Sequence, residues 1–562
     1  METLGKFGSL QTSYYHSPLS TAAAYVTLPE VFDSTATRLP TKTAVVVYQS
    51  RDNRECLTFA ELQNQSKTLA LALTQRGYAR GDRVAFFAPN CIEYFNIQLA
   101  LSRIGCNIFL LSNLITLESD VWQYKCRALF MYIKNEEEVD VCRKIVDRKS
   151  RESKEKDVII FGPNCAVAMA GTVPLISVLA AGAGHDWDDI KIKDGEVGPN
   201  PDDPYCVFLT SGSTGKPKGV QYTHIKYLHH CRVLNSTAIT EDSIFFNDRP
   251  VTWLGGSMTL LSMSVFGATG VTVNSALVVG GGDVDFVIGV MKREMCTEAL
   301  IMYYFMVDLL RRYNPEIHAV PSLRHILTGG QRMDVGVLKK IQTLLPHVEY
   351  IVDSYGSAEC GLVSVARCCN IYMASDGEEI FDGFEVRIVD ENHRDVPRGT
   401  SGEICVRSPT IYANCYVDNE KASKAVIDNA GWYCTGDIGV IDADGRLAIS
   451  GRKDDMIKRA TVKIFPVDIE PILKQHSAIK DVVVIGVPDD RLGEEICACV
   501  ILDDASSLAD VKSWCKEQFS VGPDGLSIAP VLYVQFSQFP TTSSGKTDRR
   551  LVKQAALEIL KV

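Results

Sequence analysis

One stretch restricts the fold more than any other. The apolar run Cys206-Val207-Phe208-Leu209 breaks directly into Thr210-Ser211-Gly212-Ser213-Thr214-Gly215-Lys216-Pro217-Lys218-Gly219-Val220. A short apolar run bounded by turn residues reads as a buried strand. The glycines behind it let successive backbone N–H groups face one concavity, which favours an anion. The hydroxyls of Thr210, Ser211, Ser213 and Thr214 can donate to phosphate oxygens, and Lys216 and Lys218 add positive charge. Composition alone leaves a polyphosphate cradle and a flexible Gly/Ser surface loop about even. The strand ahead and the Lys-Pro-Lys-Gly-Val exit favour the cradle. A Walker A loop is excluded by spacing. Gly212 to Gly215 is too short, and Pro540 stands where Gly545-Lys546-Thr547 would need the first glycine.

A chain of 562 residues exceeds one hydrophobic core, so several subdomains are expected. The net charge of -11 argues against a nucleic-acid surface, so any nucleotide site must be a local basic pocket in an acidic protein. The 18 cysteines are scattered and contain no C-x-x-C pair, which reads as reduced, mostly buried thiols. The opening residues include Glu2 and little Arg, unlike a signal or transit peptide. Leu560-Lys561-Val562 is not a peroxisomal tripeptide. A cytoplasmic location is expected, with mitochondrion and peroxisome left open. Thr252 to Gly282 carries no charge, but its many glycines and hydroxyls point to a buried helix and a Val-rich strand rather than a membrane span.

Helix and strand signals alternate along the chain. Thr58-Phe59-Ala60-Glu61 is a capping box, Leu62, Leu69 and Leu73 share one helical face, and Gly77 ends it. Val84-Ala85-Phe86-Phe87-Ala88 reads as a buried strand. Asn135 to Asp157 reads as a solvated helix and loop. This alternation predicts an α/β layered fold. Trp253, before Gly255-Gly256, either walls a flat apolar cavity or fills the core, and Tyr303-Tyr304-Phe305 offers a second wall. His325-Ile326-Leu327 leads into Thr328-Gly329-Gly330-Gln331, a strand end bare enough for something flat to approach the backbone.

Ile438 to Asp442 and Arg446 to Ser450 alternate loosely around Asp444-Gly445, a two-residue hairpin signal. Pairing Ala443 with Arg446 sets Asp437 opposite Arg452 by the same register. A carboxylate can accept both hydroxyls of a ribose, and Arg supplies a fork of donors. An ordinary cross-strand ion pair is the plainer alternative. The polar run Gly451 to Lys458 lies between folded segments, as a hinge does. Beyond it, strands at Val482 to Val487 and Ala498 to Leu502 and a helix at Leu508 to Gln518 suggest a small α/β domain.

Taken in order, these stretches resemble the adenylate-forming superfamily: acyl- and aryl-CoA synthetases such as coumarate–CoA ligases, peptide-synthetase adenylation domains and firefly-type luciferases. The match rests on the glycine/hydroxyl stretch, Tyr355-Gly356-Ser357-Ala358-Glu359, Tyr433-Cys434-Thr435-Gly436-Asp437, Gly451-Arg452-Lys453-Asp454 and Pro540-Thr541-Thr542-Ser543-Ser544-Gly545-Lys546. Pro488 to Glu495 looks especially like medium-chain acyl-CoA synthetases.

The resemblance implies a large N-terminal multi-subdomain α/β domain, residues 1–453, and a small mobile C-terminal α/β domain, residues 454–562, pivoting at Asp454. It implies ATP-dependent activation of a fatty or aryl acid to acyl-AMP, then thioester formation with CoA. Lys546, Glu359 and Thr214 would be catalytic, with Mg2+ on Glu359 and Thr214. Residues Thr210, Ser211, Gly212, Ser213, Thr214, Gly215, Lys216 and Lys218 would hold phosphates. Gly329, Gly330, Gln331, Tyr355 and Gly356 would flank adenine, and Asp437 and Arg452 would hold ribose. The expected partners are a small carboxylic acid, ATP and CoA, with no nucleic acid and no transmembrane segment. Two positions depart from the pattern: Ala358 replaces a threonine and Thr461 a glycine. A luciferase-type or other non-CoA use of the adenylate, and a non-catalytic nucleotide- or acyl-binding protein, remain as alternatives.

Overall fold

The computed structural model describes residues 12–19, 24–111, 117, 121–152, 156–165, 170–182, 184, 187, 198–210, 218–275, 283–330, 335–368, 377–411, 415–460, 462–503, 507–519, 527–541 and 547–562. The chain divides into two compact units, one of Leu19–Ser375 with Ser408–Ala425, the other of Met1–Pro18, Asp376–Arg407 and Val426–Val562.

The first unit is α/β, as the alternation predicts. One of its sheets runs in the order Lys218–Thr223, Pro204–Thr210, Asn107–Leu111, Arg83–Phe87, Ala128–Tyr132, Asp157–Phe161, Val173–Pro174. All its neighbours are parallel except the first pair. Parallel neighbours need crossovers. Ile92–Ile104 and Glu136–Glu152 supply two of them as helices. The strands Asn107–Leu111 and Ala128–Tyr132 are buried at every position, which is why they read as continuous apolar runs rather than alternating ones.

In the second sheet Tyr350–Ser357, His325–Gly329, Glu298–Leu300, Ile244–Asn247, Thr269–Val273 and Thr43–Tyr48 lie side by side and parallel. Gly361–Cys368 folds back antiparallel on Tyr350–Ser357. Helices Val284–Arg293, Tyr303–Arg312 and Val335–Leu344 make three of the crossovers. The uncharged stretch from Thr252 is a helix, Leu254–Leu261, a π-helical turn, Ser262–Phe266, and the strand Thr269–Val273. No helix among the described residues is long and apolar enough to cross a membrane.

The other unit holds two sheets. Tyr14–Ser17, Phe384–Val389, Gly402–Arg407, Tyr433–Ile441 and Leu447–Arg452 form an antiparallel sheet. In the other sheet, Ile479–Asp489 and Gly493–Leu502 form a long hairpin. Its alternate residues face two cores. Val482 and Val484 pack with Ile469, Leu473, Val511 and Cys515, from helices Pro466–Leu473 and Leu508–Gln518. Val483, Ile485 and Val487 pack with Val552 and Ala556 of the last helix, Arg549–Leu560.

The turn within Tyr433–Arg452 corrects the two-residue reading. Asp442 N donates to Arg446 O, so the loop holds three residues, with Gly445 at φ +82. Near the turn the register is Ile441↔Leu447, one residue off the expectation. A bulge between Ile438 and Gly439 restores it, and Asp437 does face Arg452.

Close backbone approach dictates the glycine at position 256. A Cβ on Gly256 would lie 1.9 Å from the Pro250 carbonyl oxygen, whereas the nearest atom to one on Gly255 is Arg249 Cγ at 3.8 Å. Gly256→Ala is therefore expected to cost about 3 kcal/mol or more through overpacking, and Gly255→Ala under about 1 kcal/mol. Urea unfolding of the two variants checks this, and equal stabilities would show that the contact does not exist in solution.

Candidate active site

Strands Pro204–Thr210 and Lys218–Thr223 pair antiparallel, with Thr210 opposite Lys218. Ser211, Gly212, Ser213, Thr214, Gly215 and Lys216 lie outside the described residues, as do Gln331, Thr461 and Lys546. At the described ends of that stretch, Thr210 Oγ1 donates to Lys218 O at 3.3 Å.

Tyr355-Gly356-Ser357-Ala358-Glu359 occupies the tip of the hairpin between Tyr350–Ser357 and Gly361–Cys368. Ser357 pairs with Gly361, and the three residues between them form the turn. A bulge falls between Tyr355 and Gly356. Gly356 is required there, since a Cβ would lie 2.1 Å from Gly361 O. Along the neighbouring parallel strand Gly329 pairs with Ser354, whose carbonyl and hydroxyl oxygens would each sit 2.6 Å from a Cβ at Gly329. The bare strand end read from the sequence is thus also a packing requirement.

The turn is fixed from beneath by residues that follow the glycine/hydroxyl stretch. Tyr222 OH donates to Ala358 O at 2.7 Å, and Lys226 Nζ donates to Glu359 O at 3.0 Å. The Lys226 ammonium lies 4.3 Å from the Tyr222 ring centroid. His230 Nε2 is 2.8 Å from Tyr222 OH. Because that hydroxyl proton is already given to Ala358, His230 must donate from Nε2, which assigns the tautomer. Burial, helped by the Lys226 charge, pushes the His230 imidazole down to about 3, so it is neutral. Lys226 is 1% exposed, and burial pulls its ammonium down to about 8.

Above the turn, Tyr416 OH donates to Glu359 Oε1 at 2.9 Å, and the Lys218 ammonium lies 5.0 Å from the Tyr416 ring centroid. Tyr416 is brought there by backbone pairing: Val220 bridges Tyr416, and Gln221 N donates to Cys415 O at 3.0 Å. The exit of the cradle and the carboxylate of the hairpin tip therefore meet around one tyrosine. Beside Ala358, the Ser357 Oγ lies 3.3 Å from Cys360 Sγ.

Sequence reasoning missed Tyr416 and Lys226. Nothing local marks either, since Tyr416 lies 57 residues from its partner Glu359 and Lys226 lies 133 from it. It also missed a buried ion pair after strand Ile244–Asn247, Arg249 Nε to Asp248 Oδ1 at 2.6 Å, with the guanidinium 5.3 Å from the Tyr304 ring centroid. Trp253 is half-buried at the start of helix Leu254–Leu261. Phe305 is core, with Tyr303 and Tyr304 packed against the same cluster.

In the other unit Asp437 is half-buried and Arg452 exposed, with Arg452 Nε 3.2 Å from Asp437 Oδ1. Thr435, Gly436 and Asp437 stand opposite the single residue Ile404, because Cys434 pairs with Cys405 and Ile438 with Glu403. Thr435 Oγ1 donates to Ile404 O at 2.9 Å and accepts from Asp437 N at 3.0 Å, and Arg452 Nη1 donates to Thr435 O at 3.1 Å. A bulge thus presents the carboxylate. On either side of residues 542–546, Asp548 N donates to Pro540 O at 2.8 Å and Thr541 bridges Thr547.

Strand ends kept bare by packing, beside a carboxylate held at a sheet's carboxyl edge, suit a flat base and its phosphates, the geometry of a nucleotide-using α/β enzyme. The chain belongs to the AMP-binding enzyme family, whose model matches residues 32–417; the model of that family's C-terminal domain matches residues 468–546. It is 27% identical to the putative acyl-CoA synthetase YngI of Bacillus subtilis, over 95% of this chain and 97% of that one. It is also 27% identical to the medium-chain fatty-acid–CoA ligase of Escherichia coli, over 94% and 90%. Among solved structures, the anthranilate CoA ligase AuaEII in complex with anthranoyl-AMP shares the fold at a TM-score of 0.80, with 19% identity over 96% of this chain and 98% of that one.

The depressed Lys226 value has a measurable consequence. In the unfolded chain the amine holds its proton up to its ordinary 10.5, in the folded chain only to about 8. Stability therefore rises with pH between these values and falls back as pH drops through 8. Relative to Lys226→Met, the parent should gain up to about 3 kcal/mol of unfolding free energy across that window. Parallel urea titrations of both chains at pH 7.5 and above test it, and a flat difference would refute the buried ammonium.

Proposed function

We propose that this chain uses ATP to activate a carboxylic acid as its acyl-adenylate and then transfers the acyl group to CoA. The observation that carries the proposal is the convergence of Lys218 and Glu359 on Tyr416. It sets a cation from the exit of the glycine/hydroxyl stretch beside a carboxylate at a bare strand edge. The medium-chain and acyl-CoA relatives support a fatty acid as substrate.

In the first step a carboxylate oxygen attacks the α-phosphorus, the bond from the α-phosphorus to the bridging oxygen breaks, and pyrophosphate leaves with that electron pair. Two anions must meet, so the protein's task is charge neutralisation and alignment. Residues 210–218 hold the phosphates. Gly329, Gly330, Gln331, Tyr355 and Gly356 seat adenine, and Asp437 accepts from the ribose hydroxyls beside Arg452. Lys546 lies against the carboxylate and α-phosphate. A magnesium ion brought with ATP would be held by Glu359 and Thr214 and would offset the charge of the departing pyrophosphate. A hard cation shared with phosphates needs only one or two protein oxygens, and Glu359 fits: Tyr416 takes its Oε1 and fixes the carboxyl plane. Thr214 is the second proposed ligand.

In the second step the CoA sulfur attacks the acyl carbon, AMP leaves, and the thiol proton passes to solvent. The turn at Lys453–Asp455, with Asp454 exposed, is the proposed pivot between the half-reactions.

Lys546→Ala should lower pyrophosphate release at least about 100-fold while ATP affinity changes less than about threefold, since the lysine acts on charge that develops in transfer. The assay runs a panel of fatty and aryl acids with ATP, with and without CoA, followed by mass spectrometry. Acyl-AMP without any CoA thioester would overturn the second step, and undiminished pyrophosphate release in the variant would overturn the role of Lys546.

A further inference from the structure

The bulge that presents Asp437 is founded on a pair of thiols. Cys405 and Cys434 are directly opposed on antiparallel strands, and their sulfurs lie 3.2 Å apart. Opposed residues on such strands have Cα atoms about 4.5–5.5 Å apart, inside the range of about 4.4–6.8 Å that a disulfide accepts. Cys405 is buried and Cys434 half-buried, so one thiol of the pair meets solvent while the other waits behind it.

The surroundings make Cys434 the reactive member. The hydrogen bond from Cys405 holds the Cys434 thiol below its usual range, and His393, whose Nδ1 is 3.9 Å from the sulfur, acts the same way; burial and Glu403 oppose them. Lys453, paired with Glu403 at 2.6 Å, brings an ammonium near the thiol pair. Elsewhere burial pushes thiols up, as at Cys91, Cys106, Cys126, Cys206, Cys296 and Cys360. Thiolate character and exposure select the site of oxidation, so a hydroperoxide meets Cys434 before those buried thiols.

We propose that Cys405 and Cys434 are a peroxide-sensitive dithiol whose reversible disulfide impairs the nucleotide site. The Cys434 thiolate attacks one peroxide oxygen, the O–O bond breaks, and hydroxide leaves, giving the sulfenic acid. The Cys405 sulfur, after losing its proton, then displaces the sulfenic oxygen as water, and the S–S bond forms. Each peroxide is reduced by two electrons and the two thiols are oxidised to one disulfide.

The link to activity follows from the bulge and rests on the ribose reading of Asp437 and Arg452. Cys434 is followed immediately by Thr435, which bonds Ile404 O, Asp437 N and Arg452. Drawing the two sulfurs from 3.2 Å to bonding distance shifts the residue on which all three bonds depend. The KM for ATP should rise about tenfold, the effect of one charge-assisted hydrogen bond lost from the ribose contact.

The full-length chain is treated with a small excess of hydrogen peroxide, alkylated and digested, and read by mass spectrometry beside its ATP kinetics. The expected result is a Cys405–Cys434 cross-linked peptide and a raised KM, both reversed by dithiothreitol. Cys405→Ala should abolish both the cross-link and the reversibility, and Cys434→Ser should abolish the cross-link. The inference is overturned if Cys434 passes to sulfinic acid while Cys405 stays alkylatable, or if other cysteines oxidise first. A cross-link that forms with KM unchanged, or no cross-link at all, overturns the switch, while the ribose role of Asp437 is read separately from the reduced Asp437→Asn chain, whose KM for ATP should rise about tenfold.

Discussion

A buried ammonium organises the candidate site. Lys226 donates a hydrogen bond to the backbone carbonyl of Glu359, the residue whose carboxylate Tyr416 holds. Burying a charge is costly, and the depressed value of the amine records that cost, which the Glu359 charge offsets in part. Further compensation comes from the carbonyl and the face of the Tyr222 ring. Tyr222 in turn needs His230 neutral and protonated at Nε2, so the imidazole, phenol and amine form one assembly under residues 358 and 359. Even Gly361 belongs to it, since a Cβ there would lie 2.9 Å from the His230 ring.

This arrangement explains how one motif can lose a hydroxyl and keep its shape. Ala358 gives up a side-chain donor, yet its carbonyl is a main point of attachment for the turn. The neighbouring Ser357 hydroxyl lies against Cys360. Tyr222 and Lys226 hold the hairpin tip by the carbonyls of residues 358 and 359, and Tyr416 holds the Glu359 carboxylate.

Much of this was legible in the sequence where the signal is local. The capping box at Thr58 and Glu61 forms with both reciprocal bonds, and the helix Leu508–Gln518 has the bounds that its pattern gives. The α/β layering followed from alternation of helical and extended signals. The opposition of Asp437 and Arg452 came out right by compensation: the turn is one residue longer than its Asp-Gly suggests, and a bulge absorbs the difference. Sequence patterns carry period but not bulges, so such errors are invisible until they cancel or fail to. Contacts such as Tyr416 with Glu359 depend on how distant strands pair, and no local pattern encodes that. The buried Asp248–Arg249 pair is hidden for the same reason, because adjacent charges in a loop ordinarily read as solvated.

The three-against-one mismatch between Thr435–Asp437 and Ile404 is also a matter of chain-length arithmetic. Side chains on a strand alternate faces with a period of two. Losing one residue from that stretch would turn every later side chain of the strand to the wrong face, while losing two would restore a plain ladder and retract the carboxylate into it. Substitution can alter what this edge displays, but only a two-residue deletion could erase the display and leave the sheet intact.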